Sequence, residues 1–144
     1  MNELQDLIFH DKKIFVVYLL ISQDEVVYVG RSTDFYGRLY KHLYHKDSPV
    51  SDETITHIKL FYCKTKSDMD FTENYFIKKL QPKHNQRLKD QDELTFTISK
   101  IEEQNCEYIE LETLIDIWNT IKYSYELCMP HEYKRYKNRW RNYR

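Results

Sequence analysis

Glycine, proline and cysteine are all scarce in this chain of 144 residues, which contains 2, 3 and 3 of them respectively. Cys63, Cys106 and Cys128 are odd in number, and no pair has the spacing of a metal finger. We therefore expect free thiols in a reducing compartment rather than a disulfide framework. Gly30 and Gly37 are the only glycines, so each marks a position where the backbone geometry needs an explanation.

No long hydrophobic segment is present either. The longest apolar run, "IFVVYLLI", spans residues 14–21, whereas a transmembrane helix needs about 20 apolar residues. The N-terminus "MNELQDLIFH" lacks the basic region of a signal peptide. The sequence thus predicts a protein without a membrane segment, in the cytoplasm, or in the nucleus if the source is eukaryotic or viral.

The chain does contain enough apolar and aromatic residues, 41% and 15%, for one compact domain. Its net charge of −1 hides an uneven distribution. Residues 95–127 are acidic and should face away from nucleic acid or contact a protein. Residues 128–144 are strongly basic, which favours contact with phosphates. The cations expected to bind nucleic acid are Lys134, Arg135, Lys137, Arg139 and Arg141.

Apolar periodicity predicts three strands and several helices. Residues 14–21, continuously apolar, predict a strand buried on both faces, which forms a hairpin with residues 26–29. Residues 55–62 predict a third strand. Helical spacing of apolar residues predicts four helices. The first begins at a cap on Ser32 or Thr33, and the second at a capping box formed by Ser67 and Asp70. The other two cover residues 111–125 and 133–143.

Three sets of polar residues do not suit a purely structural role. Glu73 lies on the apolar stripe of the helix over residues 67–80, where a carboxylate needs a cation or hydrogen-bond donors unless it reaches solvent at the edge. Arg38 and His42 are i, i+4 neighbours at the border of the preceding helix, where a solvated flank is the alternative. Arg31 adds a cation directly after Gly30.

Tyr18 and Tyr28 form the third set. Tyr18 interrupts the most apolar strand, and its hydroxyl needs a partner there. A register that pairs Tyr18 with Tyr28 puts both on one face of the hairpin, whereas a register shifted by one puts them on opposite faces. The residues alone leave this open.

One carboxylate, two phenols and two or three cations together suit phosphodiester hydrolysis. Glu73 can hold a hard divalent cation such as Mg²⁺, which keeps most of its waters. The arginines can neutralise the scissile phosphate, and a phenol can take a proton from water if cations lower its pKa.

The spacing of these residues resembles the GIY-YIG nuclease family over residues 13–90. "VVY" (Val16 to Tyr18) and "YVG" (Tyr28 to Gly30) stand for its two signature triplets. Arg38, His42, Glu73 and Asn85 follow in the family's order, and "FIKKLQPKHNQRLKD" is similar to the end of the N-terminal nuclease domain of the bacterial excinuclease.

The resemblance implies an α+β fold, with a three-stranded antiparallel sheet flanked by helices. Residues 91–144 lie beyond it, and their apolar periodicity predicts a helical extension with a basic tail. The resemblance also implies Mg²⁺ or Mn²⁺ at Glu73 and a tyrosine as general base, with Tyr18 favoured over Tyr28. Arg38 would stabilise the phosphate beside His42, Arg31 would bind phosphate, and Asn85 would order the site. It also implies that Tyr18 pairs with Tyr28 around an odd-length loop at Gln23.

Two residues depart from the family pattern. Val16 replaces the glycine of the first triplet, and Arg31 stands where the bacterial excinuclease has a lysine after the second triplet. Gly30 is expected to end the second strand where the backbone approaches phosphate, while Gly37 has no role in the family pattern; clearance for DNA or a packed strand is one reason for it.

The leading function is a metal-dependent endonuclease acting on double-stranded or branched DNA, with a homodimer as one way to cut both strands. The alternatives are a non-catalytic nucleic-acid-binding or regulatory protein that retains the fold, and a nuclease that cuts RNA.

Overall fold

The computed structural model describes residues 14–86 and 92–128, with the backbone alone for residues 121–128. Within these ranges the strands are β1 (Phe15–Ser22), β2 (Glu25–Ser32), β3 (His57–Cys63) and β4 (Cys106–Glu110). The helices are α1 (Phe35–Tyr44), α2 (Lys66–Leu80), α3 (Ser99–Glu102) and α4 (Leu111–Cys128). The predicted tail helix and its cations, Lys134, Arg135, Lys137, Arg139 and Arg141, lie outside the described residues.

The strands form one antiparallel sheet in the order β2-β1-β3-β4. An α+β fold with an antiparallel sheet flanked by helices is therefore confirmed. The sheet has a fourth strand that was not predicted, and this strand comes from the segment expected to be helical. Exposed and half-buried residues alternate along β4, which lies at the edge of the sheet beside β3.

Both faces of the sheet are covered because β1 is apolar at every position that could face a helix. Val16 and Leu20 pack in a cluster with residues of α1 and α4, including Leu114. Val17 and Leu19 pack in a second cluster with residues of α2 and α3. The expectation that the first strand is buried on both faces is thus confirmed.

The β1–β2 hairpin has a register that differs from the expected one. Tyr18 pairs with Gly30, and Tyr28 pairs with Leu20. The loop has two residues, Gln23 and Asp24, with φ values of 51° and 65° that match a type I′ turn. The predictions of an odd-length loop and of a direct Tyr18–Tyr28 pair are therefore wrong. Tyr18 pairs with a residue two positions after Tyr28, and side chains two apart on a strand share a face. Both tyrosines therefore still point to one face of the hairpin.

The helix caps also differ from the predicted ones. Asp34, rather than Ser32 or Thr33, caps α1, and its carboxylate accepts a hydrogen bond from Gly37 N at 3.2 Å. A Cβ at Gly37 would lie 2.6 Å from Asp34 Oδ2, so glycine leaves room for this cap. The clearance at Gly37 therefore serves the start of α1.

Thr65, rather than Ser67, caps α2, and its hydroxyl accepts from Asp68 N at 3.0 Å. The predicted capping box is wrong.

The predicted helix over residues 111–125 is confirmed as α4, which follows β4 directly. Trp118 stacks on Tyr36 of α1, with ring centroids 5.2 Å apart. Within the part of the chain that the structure describes, no helix is long and apolar enough to cross a membrane. Cys63 and Cys106 are free thiols, as the cysteine count indicates.

Candidate active site

The hydroxyl of Tyr18 ends a buried chain of polar side chains. It lies 2.9 Å from His42 Nε2, and His42 Nδ1 lies 2.7 Å from Ser48 Oγ. Tyr18, His42 and Ser48 are only 2%, 7% and 5% exposed. Helix α1 thus turns His42 inward rather than onto a solvated flank, and His42 supplies the partner that the Tyr18 hydroxyl requires.

Burial controls the protonation of this pair. Burial, assisted by the positive charges of Arg38 and Lys41, lowers the pKa of His42 to about 4, so the imidazole is neutral at neutral pH. Burial also raises the pKa of Tyr18 well above its usual value; Tyr28 adds to this effect and Arg38 opposes it. Tyr18 is therefore a neutral phenol under ordinary conditions.

Gly30 is explained by the Tyr18 ring. The strand β2 continues past Gly30 to Ser32, so the expectation that this glycine ends the strand is wrong. A Cβ at residue 30 would overlap the Cζ and hydroxyl oxygen of Tyr18. The close approach that requires glycine here is to the phenol on the neighbouring strand.

Tyr28, Glu73 and Asn85 meet in one cavity of about 320 Å³. Tyr28 comes from β2, Glu73 from α2, and Asn85 from the loop after α2. The other residues that line this cavity are Asp47, Pro49, Ile77, His84 and Gln86. The structure thus brings together three of the residues predicted for catalysis, while Tyr18 lies behind Tyr28 at a ring-centroid distance of 6.3 Å.

Glu73 is 5% exposed, although it carries a carboxylate. Arg31 Nε lies 3.5 Å from Glu73 Oε1, and Arg31 Nη1 donates to Asp70 Oδ1. Lys66 Nζ lies 3.0 Å from the other oxygen of Asp70. Asp70, predicted as part of a capping box, instead binds cations. Arg31 therefore lies between two carboxylates at the edge of the site.

The donor set around Glu73 suits a hard cation. No group of three or more His, Cys, Asp or Glu side chains in the described ranges could hold a metal ion, so a zinc-type site with three or four protein ligands does not fit there. A buried carboxylate that opens on a cavity with room for water does fit Mg²⁺ or Mn²⁺, since Mg²⁺ is commonly bound through one or two carboxylates and several waters.

Asn85 fastens the loop after α2 to the hairpin. Its Oδ1 accepts from Val29 N at 2.9 Å, and its Nδ2 donates to Val29 O at 2.9 Å. The side chain is 7% exposed. Asn85 thereby satisfies both polar groups of one β2 residue, which fixes the loop beside Tyr28.

Arg38 lies apart from the Glu73 cavity. It is exposed on α1 and lines a second, polar cavity of about 540 Å³. Lys41 and His45 line the same cavity, together with Ser32, Thr33, Asp34 and Gly37. Arg38 still acts electrostatically on the buried pair. Its positive charge opposes the rise in the pKa of Tyr18 and adds to the fall in the pKa of His42.

Sequence reasoning missed three residues of this region. Ser48 bonds to His42 from the loop after α1, and no pattern in the sequence singles it out. His84 lines the Glu73 cavity, and its Nε2 lies 2.8 Å from Glu53 Oε1. The only sequence signal for His84 is its place directly before Asn85. Nothing in the sequence pairs it with Glu53, which lies 31 positions earlier.

Comparison with known proteins covers the same region. Residues 14–88 match the family described as the GIY-YIG catalytic domain. The chain is similar to the UvrABC system protein C of Fusobacterium nucleatum subsp. nucleatum, with 31% identity over 99 residues. This match covers 66% of the chain but only 16% of that protein. No solved structure matches the chain significantly.

Proposed function

The chain belongs to the GIY-YIG nuclease family, and from this premise we propose that it is a metal-dependent DNA endonuclease that hydrolyses phosphodiester bonds. The main support is the carboxylate of Glu73, buried yet lining a cavity with Tyr28 and Asn85. A buried carboxylate is costly for stability unless cations or hydrogen bonds compensate it. Arg31 supplies one such cation at 3.5 Å, and a divalent cation bound from the cavity would supply another.

We assign the metal to Glu73. Bound Mg²⁺ or Mn²⁺ would polarise the phosphate and lower the pKa of a coordinated water. Glu73 supplies the anionic oxygen, and Asp70 gives the guanidinium of Arg31 a second acceptor beside it. Arg31 thus lies beside Glu73, where it can bind a phosphate oxygen.

We assign the contact with the attacking water to Tyr28 rather than to Tyr18, which the family resemblance favoured. Tyr28 lines the Glu73 cavity, whereas Tyr18 is 2% exposed and bonded to His42. Because burial raises the pKa of Tyr18, its phenol stays protonated and does not accept a proton from water. Tyr18 and His42 support the Tyr28 ring, whose centroid lies 5.0 Å from that of His42.

We assign phosphate stabilisation to Arg38. The residue is exposed on α1 in a cavity that it shares with Lys41 and His45, next to the hairpin that carries Tyr28. A guanidinium keeps its charge at any working pH and can bind two phosphate oxygens at once. DNA that enters the Glu73 cavity would place neighbouring phosphates on this surface.

The basic tail is proposed to add affinity without sequence preference. Lys134, Arg135, Lys137, Arg139 and Arg141 would contact phosphates, so truncation at Pro130 should reduce the salt dependence of DNA binding. An unchanged salt slope would contradict this role.

One candidate site per chain implies that a double-strand break needs a homodimer or two successive nicks. The free thiols Cys63 and Cys106 support a reducing compartment, the cytoplasm or a nucleus.

The proposed function is tested with supercoiled plasmid, branched DNA and RNA, each incubated with Mg²⁺, Mn²⁺ or EDTA. We expect the metals to support cutting of DNA and EDTA to abolish it. Glu73→Gln should be inactive, and Glu112→Gln, on the exposed surface of α4, is the matched control. Cutting of RNA alone would make RNA the substrate. Binding without cutting by the wild-type protein would indicate a non-catalytic binding protein.

A further inference from the structure

His84 lies in the Glu73 cavity on a backbone held firmly against β2. Its amide N donates to Val27 O at 3.1 Å, and the next residue, Asn85, forms two hydrogen bonds with Val29. The His84 side chain is 26% exposed. The imidazole is therefore presented at a fixed place in the cavity and remains accessible from it.

The orientation of the imidazole is fixed by a carboxylate. Glu53 Oε1 lies 2.8 Å from His84 Nε2 and 2.7 Å from Lys83 Nζ. Hydrogen bonds from Lys83 and His84 lower the pKa of Glu53 to about 2, so Glu53 is an anion at any working pH. A carboxylate in this position fixes which ring nitrogen bears a hydrogen and how the ring is oriented.

We propose that His84 is a further catalytic residue, which donates a proton from Nδ1 to the leaving oxygen of the scissile phosphodiester, and that Glu53 positions it. The proposal rests on the proposed function of the same cavity. Nε2 bonds to Glu53, which leaves Nδ1 as the ring nitrogen available to a substrate in the cavity that His84 lines. A leaving alkoxide is a strong base, and its protonation in the transition state commonly contributes about 10²–10⁴-fold to rate.

The chemical step balances with these groups. Once Tyr28 has lost its own hydroxyl proton to solvent, the oxygen of water forms a bond to phosphorus and gives one proton to the Tyr28 oxygen. The bond from phosphorus to the leaving oxygen breaks, and its electron pair stays on that oxygen. The same oxygen takes the proton from Nδ1 of His84, which becomes neutral imidazole. Solvent then restores both side chains to their starting protonation states.

A substrate with a bridging sulfur tests this role. Sulfur replaces the leaving oxygen at the bond that the wild-type protein breaks. Sequencing of the cut ends locates this bond, and the end that retains the phosphate shows which oxygen leaves. A thiolate leaves without a proton, so loss of a proton donor should not slow this substrate. We expect His84→Gln to slow cleavage of the ordinary oligonucleotide about 10²-fold or more, and of the sulfur substrate less than about tenfold.

Matched variants separate this role from a structural one. Glu53→Gln should give a smaller loss with the same recovery on the sulfur substrate, and it tests the proposal independently if His84→Gln folds poorly. His57→Gln changes a histidine on β3 that stacks on Tyr108, and it should cut both substrates at the wild-type rate. Equal slowing of both substrates by the His84 and Glu53 variants would refute the proton donor. A wild-type protein that cuts neither substrate would refute the proposed function as well.

Discussion

Adding one methyl group at residue 30 should destabilise this protein more than its size suggests. Gly30 pairs with Tyr18 across the hairpin, and a Cβ there would overlap the end of the Tyr18 ring. The ring is 2% exposed, and its centroid lies 5.5 Å from that of Phe35 and 5.7 Å from that of His42. Tyr18 therefore cannot move aside without displacing other buried groups.

The expected free-energy change follows from one stabilising and two destabilising contributions. Replacing glycine by alanine inside a strand normally stabilises by about 0.5–1 kcal/mol, because glycine loses more backbone freedom on folding. Overpacking of a buried site costs about 1–3 kcal/mol. Displacing the Tyr18 hydroxyl also weakens its hydrogen bond to His42, which costs about 1 kcal/mol more. We expect Gly30→Ala to lower the free energy of unfolding by about 1–3.5 kcal/mol.

Urea denaturation of four variants measures this effect: Gly30→Ala, Gly37→Ala, Tyr18→Phe and the double variant of Gly30→Ala with Tyr18→Phe. Gly37→Ala is the control, since the gain in helix propensity of about 1 kcal/mol offsets the weakened Asp34 cap, and stability should change little. Tyr18→Phe removes the hydroxyl that the new methyl group would meet. Combined with Gly30→Ala, it should cost less than the sum of the two single changes. A Gly30→Ala variant as stable as the wild-type protein, or strict additivity, would refute the packing argument.

Three further predictions concern stability. Asn85→Ala should lower the free energy of unfolding by about 2–4 kcal/mol, since both polar groups of Val29 lose their partner; a melting temperature within 2 °C of wild type, roughly the shift for well under 1 kcal/mol, would contradict this. Thr65→Ala should cost about 1 kcal/mol and Ser67→Ala less than about 0.5 kcal/mol, because Thr65 caps α2; the reverse order in denaturation would restore the sequence-predicted cap. His42 has a pKa of about 4 in the folded protein, below about 6.5 in the unfolded chain, so the unfolded chain binds more protons between these values. Stability should therefore fall by the order of 2–3 kcal/mol as pH drops from about 6.5 to about 4, and His42→Gln should flatten this fall.

The regular spacing of apolar residues along the sequence made most of the fold predictable. The continuous apolar run of β1 and the helical spacing of α1, α2 and α4 specify both the element type and the buried face. The short strand β4 was missed because its residues are only exposed or half-buried, which leaves a weak alternating pattern. The hairpin register was missed because Gln23 and Asp24 form a tight turn without the glycine that usually marks one.

The site was predictable where spacing along one helix or motif decides the geometry. Helical periodicity was sufficient to place Glu73 on a buried face. Contacts between distant segments were not predictable in this way. Ser48 bonds to His42 from the loop after α1, and Arg31 of β2 reaches Asp70 of α2. These contacts depend on how the elements pack, which a single sequence does not specify by period or propensity.

The role of Glu73 is tested most directly by the single-turnover rate of DNA cleavage at saturating Mg²⁺. We predict that Glu73→Gln lowers this rate at least about a hundredfold, since the change removes the anionic oxygen that would hold the metal. The control Glu112→Gln should cut at the wild-type rate, and all three proteins should unfold at similar temperatures. Cleavage by Glu73→Gln within about threefold of wild type would show that the buried carboxylate is not the metal ligand.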